Sequence, residues 1–149
     1  MGTWGYRIFE DDASCDWYDE FCAGNQSFET LEEAIEDVID IEDFLEHEIC
    51  SGALVTAEII CAASGHKSKD FPDKEYHEGE DDDDDLPSID LESIKSDLSE
   101  DFITRAQKAV KKVKKYSRSE LLQIWSESDD YDKWLKEIDN LIDRLEKCK

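Results

Sequence analysis

The chain has 149 residues, enough for one domain with its own core, and its 41 acidic residues against 17 basic ones give a net charge of −24. That sign repels phosphates, which argues against nucleic acid or an anionic membrane as a direct ligand and favours a basic partner. The excess is segregated: residues 1–63 carry −16, residues 64–90 carry −8, and residues 91–149 are balanced.

Residues 2–9 (GTWGYRIF) read as a short arm or loop that buries Trp4 and Phe9. Asp12 is placed to cap a first helix, with Cys15, Tyr18 and Cys22 on one face beside Trp17 and Phe21. Gly24 and Asn25 stop it, and Ser27 caps the next. There Leu31, Ala34, Ile35, Val38, Ile41 and Leu45 keep helical spacing, so the periodicity predicts one helix that runs on through Leu45. Residues 49–63 (ICSGALVTAEIICAA) are apolar on most sides and rich in small residues, the pattern of a central buried helix ended by Gly65. From His66 to Ser88 the pattern dissolves into a polar linker with Pro72, Gly79, Pro87 and the run Asp81–Asp85, too charged to pack. Order returns at Asp90 with a short helix on Leu91, Ile94 and Leu98. Ser99 caps a longer one with Phe102, Ile103, Ala106, Ala109, Val110 and Val113 on one face and lysines on the other. Ser117 or Ser119 caps a helix with Leu121, Leu122 and Trp125. Asp129 or Asp130 starts a last one with Trp134, Leu135, Ile138, Leu141, Ile142 and Leu145. No strand pair and no repeat is visible. The fold class expected is all-α: a compact bundle of about five to seven helices with a short N-terminal arm and a long acidic loop. It forms a single domain over 1–149, with linker 66–88 between an acidic and a charge-balanced half.

Chemistry-bearing patterns are sparse. The five cysteines form no CxxC pair, and His47 and Cys50 at i, i+3 have no second pair at zinc spacing. An odd count of thiols on apolar faces fits a reducing compartment. Asp81 to Asp85 lack the glycine and spaced ligands of a calcium loop. No nucleophile elbow, phosphate-binding loop, HExxH or dinucleotide turn is present. The three histidines lie at a helix end or in the linker with no visible Cys or Ser partner, so neither a cofactor nor an enzyme is expected. The N-terminus has no basic segment followed by an apolar one, and Tyr6 occupies the position where myristoylation wants Ser or Thr. A soluble, cytoplasmic protein is expected.

The acidic helix carries the most information. Between Ser27 and Glu48 nearly every non-apolar position is acidic, and no lysine or arginine interrupts. Like charges at i, i+4 cost about 0.2–0.5 kcal/mol per pair. Glu29/Glu33, Glu32/Glu36, Glu33/Asp37 and Glu36/Asp40 all occur. Two readings stand side by side: a solvated face partly neutralised by the Lys-rich helix, or a docking face for a strongly basic partner. On the second, Glu32, Glu36, Asp40 and Asp43 are the contact residues expected, with Asp81, Asp82, Asp83, Asp84 and Asp85 as a second set. The partner is then a toxin or a nucleic-acid-binding protein. A surface adapted to high salt fits less well, because the charge is confined to one part of the chain.

The opening MGTWGYRIFEDDASCDW resembles the start of a bacterial family, domain of unknown function DUF4259, through Gly2, Thr3, Trp4, Gly5, Phe9, Asp11, Asp12, Asp16 and Trp17. SGALVTAEIICAASG (51–65) looks like its Ala-rich helix. In residues 119–145, Ser119, Glu120, Leu121, Leu122, Trp125, Trp134 and Leu141 match its C-terminal half. Arg7-Ile8 stands where many members have Gly-Pro. Of the motif, Gly2, Trp4, Gly5, Phe9 and Trp17 are read as structural, locking the arm into the core. The resemblance implies a helical domain similar in size and acidity to bacterial immunity proteins, the small inhibitors paired with toxins. Together with the segregated charge it makes an immunity protein that neutralises a basic, nuclease-like toxin the leading expectation. A nucleic-acid mimic that blocks a DNA-binding protein and a non-inhibitory interaction domain are the alternatives.

Overall fold

The computed structural model describes residues 5–24, 26–68, 71 and 89–149. Among them are seven helices and no strand: α1 (Asp12–Ala23), α2 (Phe28–Asp40), α3 (His47–Ala63), α4 (Leu91–Asp97), α5 (Glu100–Lys115), α6 (Glu120–Ser126) and α7 (Tyr131–Cys148). The fold is all-α.

Helix α3 is the hub. Every residue from Cys50 to Ala62 is buried, and all six other helices pack against it. A helix apolar all round must be enclosed, and its small residues let neighbours close in. At Gly52 an added Cβ would lie 2.9 Å from the Trp17 indole nitrogen of α1, so this position holds that helix at short range. The helix ends where the spacing predicts. Gly65 takes a positive φ of 90°. Its N–H bonds to Ala62 O and the His66 N–H to Cys61 O, the paired bonds of a Schellman ending.

The remaining helices wrap this axis with one apolar stripe each. On α7, Trp134, Ile138, Leu141 and Leu145 are buried, each contributing about 1.5–3 kcal/mol by leaving water. Ser27, Ser99 and Ser119 cap α2, α5 and α6 through their hydroxyls, and the Asp90 carboxylate caps α4. Three features of the sequence reading change. The N-cap of α1 is Asp11, one residue earlier than expected, and Ser14, Tyr18, Phe21 and Cys22 form the buried stripe while Cys15 is only half-buried. Helix α2 stops at Asp40, and residues 41–46 leave the helix although Leu45 stays fully buried. Its ring-fenced position comes from pairing with a distant segment: Leu45 N–H bonds to Arg118 O at 2.9 Å and Glu120 N–H to Leu45 O at 2.8 Å. Finally, Phe71 in the linker is buried, packed edge-on against Phe9 and Tyr18 at 5.5 and 5.6 Å between ring centres. One aromatic residue there outweighs the polar surroundings.

Candidate functional site

Helix α2 lays Leu31, Ala34, Ile35 and Val38 on α3 and α5, which turns its carboxylates outward. Of the four contact residues expected, Glu36 pairs with Arg105 of α5 and Asp43 with Arg118 at 3.3 Å. Glu32 and Asp40 pair with no base among the described residues, nor do Glu29, Glu33, Asp37 or Glu42. The C-terminus of α2 is acidic, which its helix dipole disfavours. Lys112 of α5 compensates: its ammonium donates to Ile39 O at 3.1 Å and Ile41 O at 2.5 Å. The second expected set, Asp81 to Asp85, lies outside the described residues, as do Gly2 and Trp4.

From α2 the chain runs through Glu42 and Asp43 into Phe44, whose side chain is 43% exposed. It is the exposed large hydrophobic residue among those described. Its backbone is fixed on both sides, by the Tyr116 hydroxyl donating to Asp43 O at 2.8 Å and by the pairing of Leu45. Phe44 lines an open depression of about 490 Å³ whose lining also carries the carboxylates of Asp11, Asp12, Asp16, Glu46, Glu48 and Glu120. These come from the start of α1, the start of α3 and the start of α6. Acidic first turns suit helix N-termini, so three helices that begin side by side concentrate negative charge at one end of the bundle.

A buried cluster ties this end together. The His47 Nε2–H donates to both oxygens of Asp11, at 3.1 and 3.0 Å, and the Ser51 and Ser14 hydroxyls donate to the same carboxylate at 2.8 and 3.3 Å. The His47 backbone N–H, left over at the helix start, donates to Glu120 at 2.7 Å. Burial alone would raise the Asp11 carboxyl, but the hydrogen bonds from His47 and Ser51 outweigh it and hold the group below its ordinary range. The bond to Asp11 raises His47 above its ordinary value, against burial, with help from the charges of Glu120 and Glu48. Both hydroxyls serve Asp11 and neither is presented to the imidazole, so the cluster reads as an anchor for α1 on α3. No sequence spacing marks Asp11 as the partner of His47, because the two stand 36 positions apart.

The pair His47 and Cys50 does not converge. The Cys50 thiol contacts the Ser119 hydroxyl at 3.5 Å, and burial pushes it up to about 11. Among the described residues no group of three His, Cys, Asp or Glu side chains is arranged to hold a metal. Nor, among them, is any helix long and apolar enough to cross a membrane.

Of the motif residues, Gly5, Phe9 and Trp17 are described and make close contacts. Phe9 is buried against Tyr18, and Trp17 stacks on Phe21 with ring centres 5.6 Å apart. At Gly5 an added Cβ would overlap the Glu10 carboxylate, which accepts the Arg7 N–H. The family model of DUF4259, described as Domain of unknown function, matches residues 2–137. No curated protein and no solved structure matches the chain. The chain belongs to the DUF4259 family, whose description assigns no activity.

Proposed function

We propose that this DUF4259 protein is an acidic inhibitor, an immunity protein that works in the cytoplasm by binding and neutralising a basic, nuclease-like toxin. In this reading it is a binding protein rather than an enzyme. One observation carries it. Helix α2 packs directly on the basic helix α5, yet α5 neutralises only Glu36 by ion pairing, and among the described residues Glu29, Glu32, Glu33, Asp37 and Asp40 have no base. A chain under selection for stability alone would place its lysines opposite those carboxylates, since like charges on one helix face cost free energy. Uncompensated charge instead accelerates encounter with a basic partner and makes it salt-sensitive. The depression around Phe44 supports the same reading. A fixed aromatic side chain within an acidic rim has the anatomy of a binding anchor, able to stack on an arginine while carboxylates take its charge.

The test is capture on the tagged protein from lysate of its source at low salt, with elution by rising salt, then assay of what is retained. A single basic protein is expected in equal amount, its activity titrated to zero at one equivalent. Glu32→Lys with Asp40→Lys should slow its association more than its dissociation. Retention of nothing beyond a broad, salt-labile background would sink the reading. Displacement of the partner by duplex DNA would shift it to a nucleic-acid mimic.

A further inference from the structure

We infer, resting on the inhibitor reading for the identity of the occupant, that the depression around Phe44 is an arginine-selective anchor, which takes the guanidinium of one arginine presented by a basic protein partner. The α2 carboxylates speed encounter with any basic surface, whereas this one contact decides which cation is accepted. The carboxylates around the depression divide into two sets. Asp11 and Glu120 serve the fold: Asp11 receives His47, Ser51 and Ser14, and Glu120 receives the His47 N–H. Asp12, Asp16, Glu46 and Glu48 are exposed, line the same depression and pair with no base among the described residues. Glu46 occupies the N-cap of α3, where Ser, Thr, Asp or Asn would bond a free N–H, and its side chain makes no such bond. Glu120 of α6 bonds the His47 N–H instead. Asp12 and Asp16 stand one turn apart on α1, an arrangement of like charges that disfavours a helix. Among the described residues the lining includes no lysine or arginine, and its imidazole, His47, is turned to Asp11.

The aromatic ring selects among cations. A guanidinium is planar and weakly hydrated, so it stacks on a ring face and still directs its in-plane N–H groups to carboxylates at the rim. An ammonium is compact and strongly hydrated, and it gains less by giving up water for a ring. Phe44 offers its ring to solvent from a backbone held on both sides, by Tyr116 at Asp43 O and by Arg118 and Glu120 at Leu45. A backbone already held loses little freedom when a partner covers the ring. The carboxylates come from the starts of α1 and α3, two helices packed on each other, so the rim is as firm as the ring.

The experiment titrates the isotope-labelled full chain with two short acetylated peptides that differ only in their cations, one alternating glycine with arginine and one alternating glycine with lysine. Physiological ionic strength screens the long-range steering. Amide shifts should map to Phe44, Leu45 and the first turns of α1 and α3, and the arginine peptide should bind about five-fold more tightly than the lysine peptide. Phe44→Tyr should keep that preference. Phe44→Leu, which retains apolar area without a ring, should abolish it. Glu46→Gln with Glu48→Gln should weaken the arginine peptide more than Glu33→Gln with Asp37→Asn, which removes the same charge from α2. Equal affinity for the two peptides, shifts confined to α2, or a preference that survives Phe44→Leu would each overturn the anchor, and capture of a basic toxin would then leave the inhibitor reading standing. An arginine preference lost in Phe44→Leu, with no basic protein captured from lysate, would support the anchor and strike the inhibitor reading alone.

Discussion

The two halves that flank α3 solve the same packing problem with opposite electrostatics. In the C-terminal half, charges are matched locally: Lys114 pairs with Asp139 across α5 and α7, and Lys149 with Glu146 along α7. The α5 helix begins with acids and ends with lysines, as its dipole prefers. In the N-terminal half, α1 and α2 have no basic residue in their last turns, and α2 carries a file of carboxylates unmatched among the described residues. Where that half is neutralised, the cations come from elsewhere: Arg105, Lys112 and Arg118 all belong to the C-terminal half. A helix of this kind holds its place by burial and by borrowed charge, which leaves its outer surface open to another task.

The hub itself gives the sharpest way to test how matched charge operates. Glu58 of α3 is fully buried and bonds to Arg144 of α7 through two N–H donors, at 2.9 and 3.0 Å, while Arg144 also reaches His66 O. Burial would lower the Arg144 pKa, but Glu58 outweighs it and keeps the guanidinium charged. Arg144→Met should cost about 3–5 kcal/mol by stranding a buried carboxylate, measured by urea unfolding. Adding Glu58→Met should recover most of that loss. If the double variant is as unstable as the single one, the pair does more than satisfy itself.

The second effect is smaller and depends on pH. His47→Ala should cost about 1.5–3 kcal/mol near pH 6 by removing a charged hydrogen bond. The sign follows from both partners. His47 is raised above 6.5, so its contribution is complete below that value and fades as pH rises through the folded-state pKa. Asp11 is lowered below 3.8, so its contribution is present above that value and fades as pH falls through the folded-state pKa. The difference between wild type and variant should therefore be largest between these limits and shrink above neutral pH. A difference constant from pH 5 to 9 would mean that the imidazole acts by packing alone.

The smallest effect has the opposite sign. Glu33→Gln with Asp37→Asn removes like-charge neighbours from α2 and should raise stability by about 0.5 kcal/mol at low salt, with the gain vanishing at high salt. No gain would mean that α2 already tolerates its charge in the folded protein, and the contrast between the halves would lose its energetic meaning.

Much of this was legible in the sequence, and the exceptions share a cause. Periodicity located the buried stripes of α2, α5 and α7, and small-residue content located α3, because burial on one face leaves a local imprint. Ser27, Ser99 and Ser119 were readable as caps for the same reason. The end of α2 was not, since no Gly or Pro marks it and Ile41 and Leu45 continue the helical spacing. Where the helix ends, Lys112 reaches Ile39 O and Ile41 O, and the Leu45 N–H bonds to Arg118 O; these partners lie more than seventy positions away. The anchor between Asp11 and His47 escaped likewise, as did the meeting of Asp12, Glu46 and Glu120 around Phe44. Side chains gathered from three helix starts leave no pattern within any one of them.

The reach of Lys112 has a consequence for the order in which the protein is made. A nascent chain emerging from the ribosome exposes α2 long before α5 exists, and until then the C-terminal carbonyls of α2 lack their cation while its carboxylates repel one another. Loop closure over such a separation is slow to be repaid. The acidic helix thus gains its Lys112 contacts late although it is among the first elements to be synthesised. Translation must run past Lys112 before the face that α2 presents acquires its final shape.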